Sequence, residues 1–433
     1  MSAAPVIEAA APATPDGVLL RLQETLTWLQ GLVPGSVDTG EPVADDQRID
    51  RITALERLQA SLEAVKAVEM VAFARSQTTQ QLTIGVHPCA VGRGIADQIA
   101  LACRVSPTEG TRRLHVARDL VLDLPHTLGF LSRGDLSGWT VRLITEQVSH
   151  LDRATRTQVD TDLAARRPDT MSTKHAAATA KRLAYQADPA AAMARARQAR
   201  GDRRVTLRPA PDTMTLLTGL LPVEQGVACL AALHAAVTAR KADGDTRSKG
   251  QIMADTLVAR LTGQDTADGV GVEVGIQLPL GALIDPDDPT PAEIPGWGAL
   301  PAGLARELIG NAGARAWWRR LFTQPTRAGG QQVVDLDHRR RRFTGWLAAL
   351  IRWRDWTCRD PFCDAPIRHL DHLHRHHDGG PTTPANGRGV CERGNYVREM
   401  PGWTVRLADP DTHTVITTTP TGHHYLSRPP EPP

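Results

Sequence analysis

Apolar residues recur every three or four positions from Leu19 as far as Leu261, the period of helices that each bury one face. Leu19, Leu20, Leu22, Leu26 and Leu29 follow Asp16, a residue able to cap the helix they predict. Residues 1–15 ahead of them are rich in Ala and Pro and are expected to be disordered. After a polar Gly/Pro/Asp-rich break, Ile49, Ile52, Leu55, Leu58, Leu62, Val65, Val68 and Val71 form one stripe. That stripe predicts a long helix from about Asp46 to Arg75, packed along its length. Helical patterning then continues with breaks near Pro107, Pro125, Gly134, Pro168, Pro189 and Gly244. The expected fold is mainly α: residues 1–45 a flexible region with a short helix, and 46–261 an all-α domain.

The period changes after that. Val270 to Leu278 alternates as a half-buried strand does, and a short helix is expected around Leu304 to Leu308, so 262–338 reads as a mixed connector. Arg339, Arg340, Arg341 and Arg342 lead into a helix from Phe343 to Trp353, which delivers the chain to Cys358. Residues 339–408 read as a small separate domain, with a short helix after Asn395 ending at Pro401-Gly402. Trp403 to Leu407 and Val415 to Thr418 read as hairpin strands, with 409–433 completing the hairpin and a frayed tail.

Composition changes this picture little. The net charge is +2, so no global field draws the chain to nucleic acid or an acidic membrane. Local charge says more: His338 to Glu399 holds 12 Arg against 7 Asp or Glu. Lysine occurs only at 66, 174, 181, 241 and 249. Arginine suits bidentate phosphate contacts, and so uniform a bias also fits a GC-rich coding sequence. Without a basic leader or a run of about 18 apolar residues, the expected location is cytoplasmic, with no membrane partner.

The chemistry concentrates between Cys358 and Asn395. Cys358, Cys363 and Cys391 flank five of the fifteen histidines, and the run includes Asp371-His372, Gly379-Gly380, Asn386 and Asn395. Clustered Cys and His in such a chain favour a metal site over disulfides. An imidazole that titrates near neutral pH makes His372 the candidate general base. The oxygens of Asp371 and Asn395 suit Mg²⁺ or Mn²⁺. Asn386 is expected to hydrogen-bond backbone and keep the intervening loop shaped. A zinc knuckle without catalysis is the plainer reading of the same residues.

This segment resembles the HNH endonucleases, whose ββα-metal (His-Me finger) motif runs strand, loop, strand, helix. The resemblance implies DNA phosphodiester hydrolysis, with His372 as base, Asp371 and Asn395 on the catalytic ion, and Asn386 in the loop. Many relatives carry His where Asn395 stands. Many also bind a structural zinc through a C-x4-C and a C-x2-C pair. Cys358, Cys363 and Cys391 supply three of those ligands, and Gly394 stands where the fourth belongs. His369 or His374 could complete the shell, a water could, or the zinc is lost. Ala117-Arg-Asp-Leu, Ala199 to Arg208, Leu221-Pro-Val-Glu-Gln225 and Pro295 to Arg306 extend the similarity to the actinobacterial "13E12 repeat" HNH proteins, which join a helical domain to a C-terminal HNH domain. One such centre implies nicking by a monomer; double-strand cutting would need a homodimer or two turnovers. A DNA-binding protein with a decayed HNH module is the alternative, kept open by Gly394.

Within the helical part, Ile95 to Arg118 reads either as a helix-turn-helix or as an ordinary αα-hairpin. In the first case Arg112, Arg113 and Arg118 would meet DNA; in the second they are solvated. The Arg339 to Arg342 run would likewise clamp a DNA backbone or face water.

Overall fold

The computed structural model describes residues 17–32, 44–263, 276–294, 298–312, 323–325, 331–333 and 343–430. The expectations for 1–15, for most of the 270–278 strand and for Arg339, Arg340, Arg341 and Arg342 lie outside them. The fold is mainly helical, with small antiparallel sheets. Among the described residues no helix is long and apolar enough to cross a membrane.

Residues 1–59 and 60–433 form two units. The first holds the helix Gly17–Gly31 and the opening turns of Asp45–Thr83. Ile49, Ile52 and Leu55 are exposed there. In the second unit the same helix buries Ala60, Ala64, Ala67, Met70, Val71, Ala74 and Gln77, while Leu62, Val65 and Val68 stay exposed. Of the expected stripe Val71 alone is buried, so most of it is not the packed face. A ridge of small residues, also spaced by threes and fours, allows the closest helix approach and wins the interior.

The second unit's helices follow chain punctuation. Pro107, Pro125 and Pro189 each sit at the start of a helix, where the missing N–H costs nothing. Ser106, Ser137, Asp152, Ser172 and Asp188 accept backbone N–H groups as caps. Gly134 closes Pro125–Arg133 in the left-handed conformation. Ile95, Leu114, Leu120, Val141, Ile144, Val159, Leu163, Ala176 and Ala180 fill the common core. The all-α expectation for 46–261 fails at one place: Arg204–Pro209 pairs with Thr215–Leu220 as an exposed antiparallel hairpin. Farther on, Gln277 bridges Glu293, and Ala302–Ala312 is helical.

At the C-terminal end the helix Gly345–Asp355 precedes the antiparallel strands His369–His372 and Gly387–Val390, followed by the helix Glu392–Val397. The tail is a three-stranded sheet rather than a hairpin. Thr414–Thr418 lies between Thr404–Asp409 and His424–Ser427. This end packs on the helical core through Leu101, Val397, Met400 and Trp403. Arg393 adds a bidentate ion pair to Asp97, 2.6 and 2.8 Å, and a hydrogen bond to Thr111.

Candidate functional site

Register fixes where the key side chains go. Asp371 stands opposite Arg388 and His372 opposite Gly387, and successive residues of a strand leave on opposite faces. The His372 face is apolar. A Cβ on Gly387 would lie 2.5 Å from Ile351 Cδ1 and 2.6 Å from Phe343 Cε1, so only glycine lets the Gly345–Asp355 helix close on the strand. The His372 ring packs tilted against Phe343, centroids 4.4 Å apart, with His376 edge-on at 5.6 Å. Thr382 Oγ1 lies 2.9 Å from His372 Nε2. Burial, reinforced by His376 and Arg398, holds the imidazole below its ordinary pKa, against the pull of Asp371.

Asn386 ties the loop between the strands. Its Oδ1 accepts from His374 N at 2.7 Å, and its Nδ2 donates to the carbonyls of His374 and Pro381 at 2.9 and 2.7 Å. Arg354 grips the same loop, donating to the carbonyls of Pro384 and Gly387. Asp355 braces the second strand by accepting Gly389 N–H at 2.7 Å.

The opposite face carries Asp371. Its Oδ2 accepts from Arg388 Nε and Nη2 at 3.2 and 3.1 Å and from Arg398 Nη1. Arg398 also donates to the carbonyls of His372 and Leu373. The expected divalent-ion ligand is thus paired with two guanidinium groups, on the face away from His372. All three contacts fall on Oδ2. Asn395, half-buried, lies inside the Glu392–Val397 helix rather than opening it; Cys391 is the cap, its sulfur accepting Gly394 N–H at 3.2 Å.

The ligand atoms of Cys358, Cys363 and Cys391 all lie within 4.8 Å of one another and are buried. Cys363 and Cys391 sulfurs are 4.0 Å apart, close to the roughly 3.8 Å between two thiolates on one tetrahedral zinc. Hydrogen bonds from Cys358 and Cys363 hold the Cys391 thiol down to about 2, while those that Cys358 makes with Cys363 and Cys391 push its own thiol above the usual range. Among the described residues neither His369 nor His374 joins this group; His369 instead faces the Tyr396 ring at 6.3 Å.

In the Ile95 to Arg118 segment, helices Ile95–Ala102 and Pro107–Asp123 cross tightly: a Cβ on Gly110 would lie 2.7 Å from Ala96 O. Arg112 and Arg113 both pair with Glu109 of their own helix. The first helix is covered by the C-terminal end through Asp97 and Leu101.

Sequence reading missed Arg388, Arg398 and Thr382. Arginine richness was visible, but which arginine meets Asp371 depends on strand register.

The family profile described as "Domain of unknown function (DUF222)" matches residues 52–355, ending just before Cys358. The chain is 33% identical over 147 residues to the uncharacterized protein Rv3776 of Mycobacterium tuberculosis, covering 33% of this chain and 25% of that protein. It is 35% identical over 153 residues to the uncharacterized protein Rv2100 of the same organism, covering 34% of this chain and 25% of that protein. The chain thus spans about a quarter of the length of these relatives. No solved structure matches significantly.

Proposed function

The chain belongs to the DUF222 family, and from the strand-loop-strand-helix unit that follows the matched region we propose an HNH-type endonuclease that hydrolyses DNA phosphodiester bonds. The observation that carries this reading is the setting of His372. An imidazole kept neutral by burial sits at the end of a strand, beside a loop whose shape Asn386 holds through three backbone hydrogen bonds. Such a group can take the proton of a water attacking phosphorus. A Mg²⁺ or Mn²⁺ ion on Asp371 Oδ1 and the Asn395 carboxamide would supply neutralisation of charge developing on the phosphate, which requires the scissile phosphate to bridge from the Asp371 face to the strand end that carries His372. Arg388 and Arg398 pair only with Oδ2, which leaves Oδ1 its lone pairs, though their charge weakens the hold on any cation. Cys358, Cys363 and Cys391 suit a structural zinc, which would pin the helix carrying Asn395 to the loop that leads into the strand of Asp371.

A second reading draws on the same arginines. Two guanidinium groups satisfy Asp371 without any divalent ion, as expected of a module kept for DNA binding after losing hydrolysis. Nicking of supercoiled plasmid with Mg²⁺ or Mn²⁺ separates the two. Metal-dependent nicked circles from the wild type, reduced at least about 100-fold in His372→Ala, support the nuclease. Equal nicking by both proteins removes the enzyme, and DNA retention without nicking by the wild type favours the binding module.

A further inference from the structure

Three sulfurs make an incomplete zinc site, since structural zinc takes four protein ligands. Position 394 offers no side chain, yet the space beside it is filled. A Cβ built on Gly394 would lie 2.8 Å from Asp360 Cγ and closer still to Asp360 Oδ2. The Asp360 carboxylate therefore occupies the volume from which a ligand at 394 would reach the sulfurs. Asp360 is also stitched into the cluster by its backbone. Its N–H donates to Cys358 Sγ at 3.4 Å, and its carbonyl accepts Cys363 N–H at 3.1 Å. Arg388 Nη1 fixes Oδ1 at 2.9 Å, which leaves Oδ2 turned toward residue 394.

We infer that Asp360 is the fourth ligand of a Cys3Asp zinc site formed with Cys358, Cys363 and Cys391, its carboxylate standing where residue 394 supplies none. This rests on the zinc reading of the three cysteines given above. Carboxylate oxygen is an ordinary zinc donor. Asp360 is not in the group of ligand atoms within 4.8 Å of one another, so ligation requires its side chain to turn toward the sulfurs on metal binding, into room that a side chain at 394 would have closed. Three thiolates and a carboxylate leave the occupied site net negative, and the fully buried guanidinium of Arg388 lies beside it to offset that charge. The second oxygen of a ligating carboxylate held by an arginine is the outer-shell support such ligands need.

Zinc content and affinity, the latter by competition with a chromophoric chelator, test the assignment on the full chain. The proteins compared are wild type, Asp360→Asn, and the double variant Asp360→Ala with Gly394→Cys. The wild type should hold one zinc per chain, and Asp360→Asn should bind it at least about 100-fold more weakly. The double variant should return to within about tenfold of wild type, because a thiolate now reaches in from 394 with the carboxylate gone. X-ray absorption should fit three sulfurs near 2.3 Å and one oxygen near about 2.0 Å in the wild type, and four sulfurs in the double variant. If Asp360→Asn does not fold, the wild-type spectrum and the double variant decide: four sulfur scatterers in the wild type overturn the inference. Wild-type affinity in Asp360→Asn overturns Asp360 as ligand while the three-cysteine site stands. A wild type that takes up no zinc overturns the zinc reading itself, and Asp360 falls with it.

Discussion

His413 should make the C-terminal domain acid-sensitive, and the size of the effect can be worked out. The side chain is 1% exposed, with Nε2 3.1 Å from Ala385 O and Nδ1 3.3 Å from Arg359 Nη1. A carbonyl only accepts, so Nε2 carries the proton and Nδ1 accepts from Arg359. That arrangement requires a neutral ring. Burial, with the neighbouring Arg354 and Arg359, pushes the His413 pKa down to about 3 against the pull of Asp355. The unfolded chain titrates at about 6.5. Above that pH neither state is protonated and the full stability is present. As pH falls below 6.5 the unfolded state takes up the proton first, so stability drops by about 1.4 kcal/mol per pH unit until the folded pKa is reached. Between pH 7 and pH 5 the loss is about 2 kcal/mol. His413→Gln keeps an N–H for Ala385 and cannot titrate. Urea unfolding followed by tryptophan fluorescence should show wild-type stability falling by that amount relative to the variant, with the variant less stable at pH 7 by about 1 to 3 kcal/mol. Parallel stability profiles for the two proteins would refute the reasoning. The loop holding Asn386 hangs on this ring through Ala385, so the same acid step should loosen the loop.

Asn386→Ala removes all three side-chain ties of that loop. Amide exchange across residues 374–386 should quicken by tenfold or more, on the order of one lost hydrogen bond, and plasmid nicking should fall with it while zinc content stays unchanged. Arg393→Ala breaks the contact with Asp97 and Thr111 and leaves a nearly buried carboxylate unpaired, a cost of about 1 to 3 kcal/mol. Arg393→Lys should recover only part of it, because a single ammonium cannot reproduce the bidentate pair; equal melting temperatures for all three proteins would contradict this.

Helix punctuation was legible in the sequence because it is local chemistry: Pro at a first turn and Ser or Asp just before it act within one turn of chain. Which face packs was not. Ile49 to Val68 and Ala60 to Ala74 both recur at helical spacing, and only the neighbouring helices choose between them, selecting the ridge that permits close approach. The 204–220 hairpin was hidden for another reason. Val205 and Leu207 alternate with polar residues over only one short strand, too brief to stand out beside long helical patterns on both sides. At the site, cysteine and histidine spacing carried the expectation of a metal knuckle next to a candidate base. Expecting Asp371, His372 and Asn395 around one ion needed more than spacing, because neighbours on a strand diverge and Asp371 is drawn to Arg388 and Arg398.

Arg388 explains why the two halves of the site are not independent. Its side chain is fully buried, a position a lone guanidinium could not hold, and it is sustained by Asp360 on one side and Asp371 on the other. Gly387 and Gly389 flank it. A Cβ on Gly389 would lie 2.8 Å from Ile367 Cγ1, so the glycines let apolar side chains close over one face of the strand while Arg388 spans the other. Any movement of Asp360 toward the sulfurs is therefore felt at Asp371 through a single planar group. If metal loading of the cysteine knuckle draws Asp360 inward, it would pull on Arg388, and through Arg388 it would change the charge around the Asp371 carboxylate.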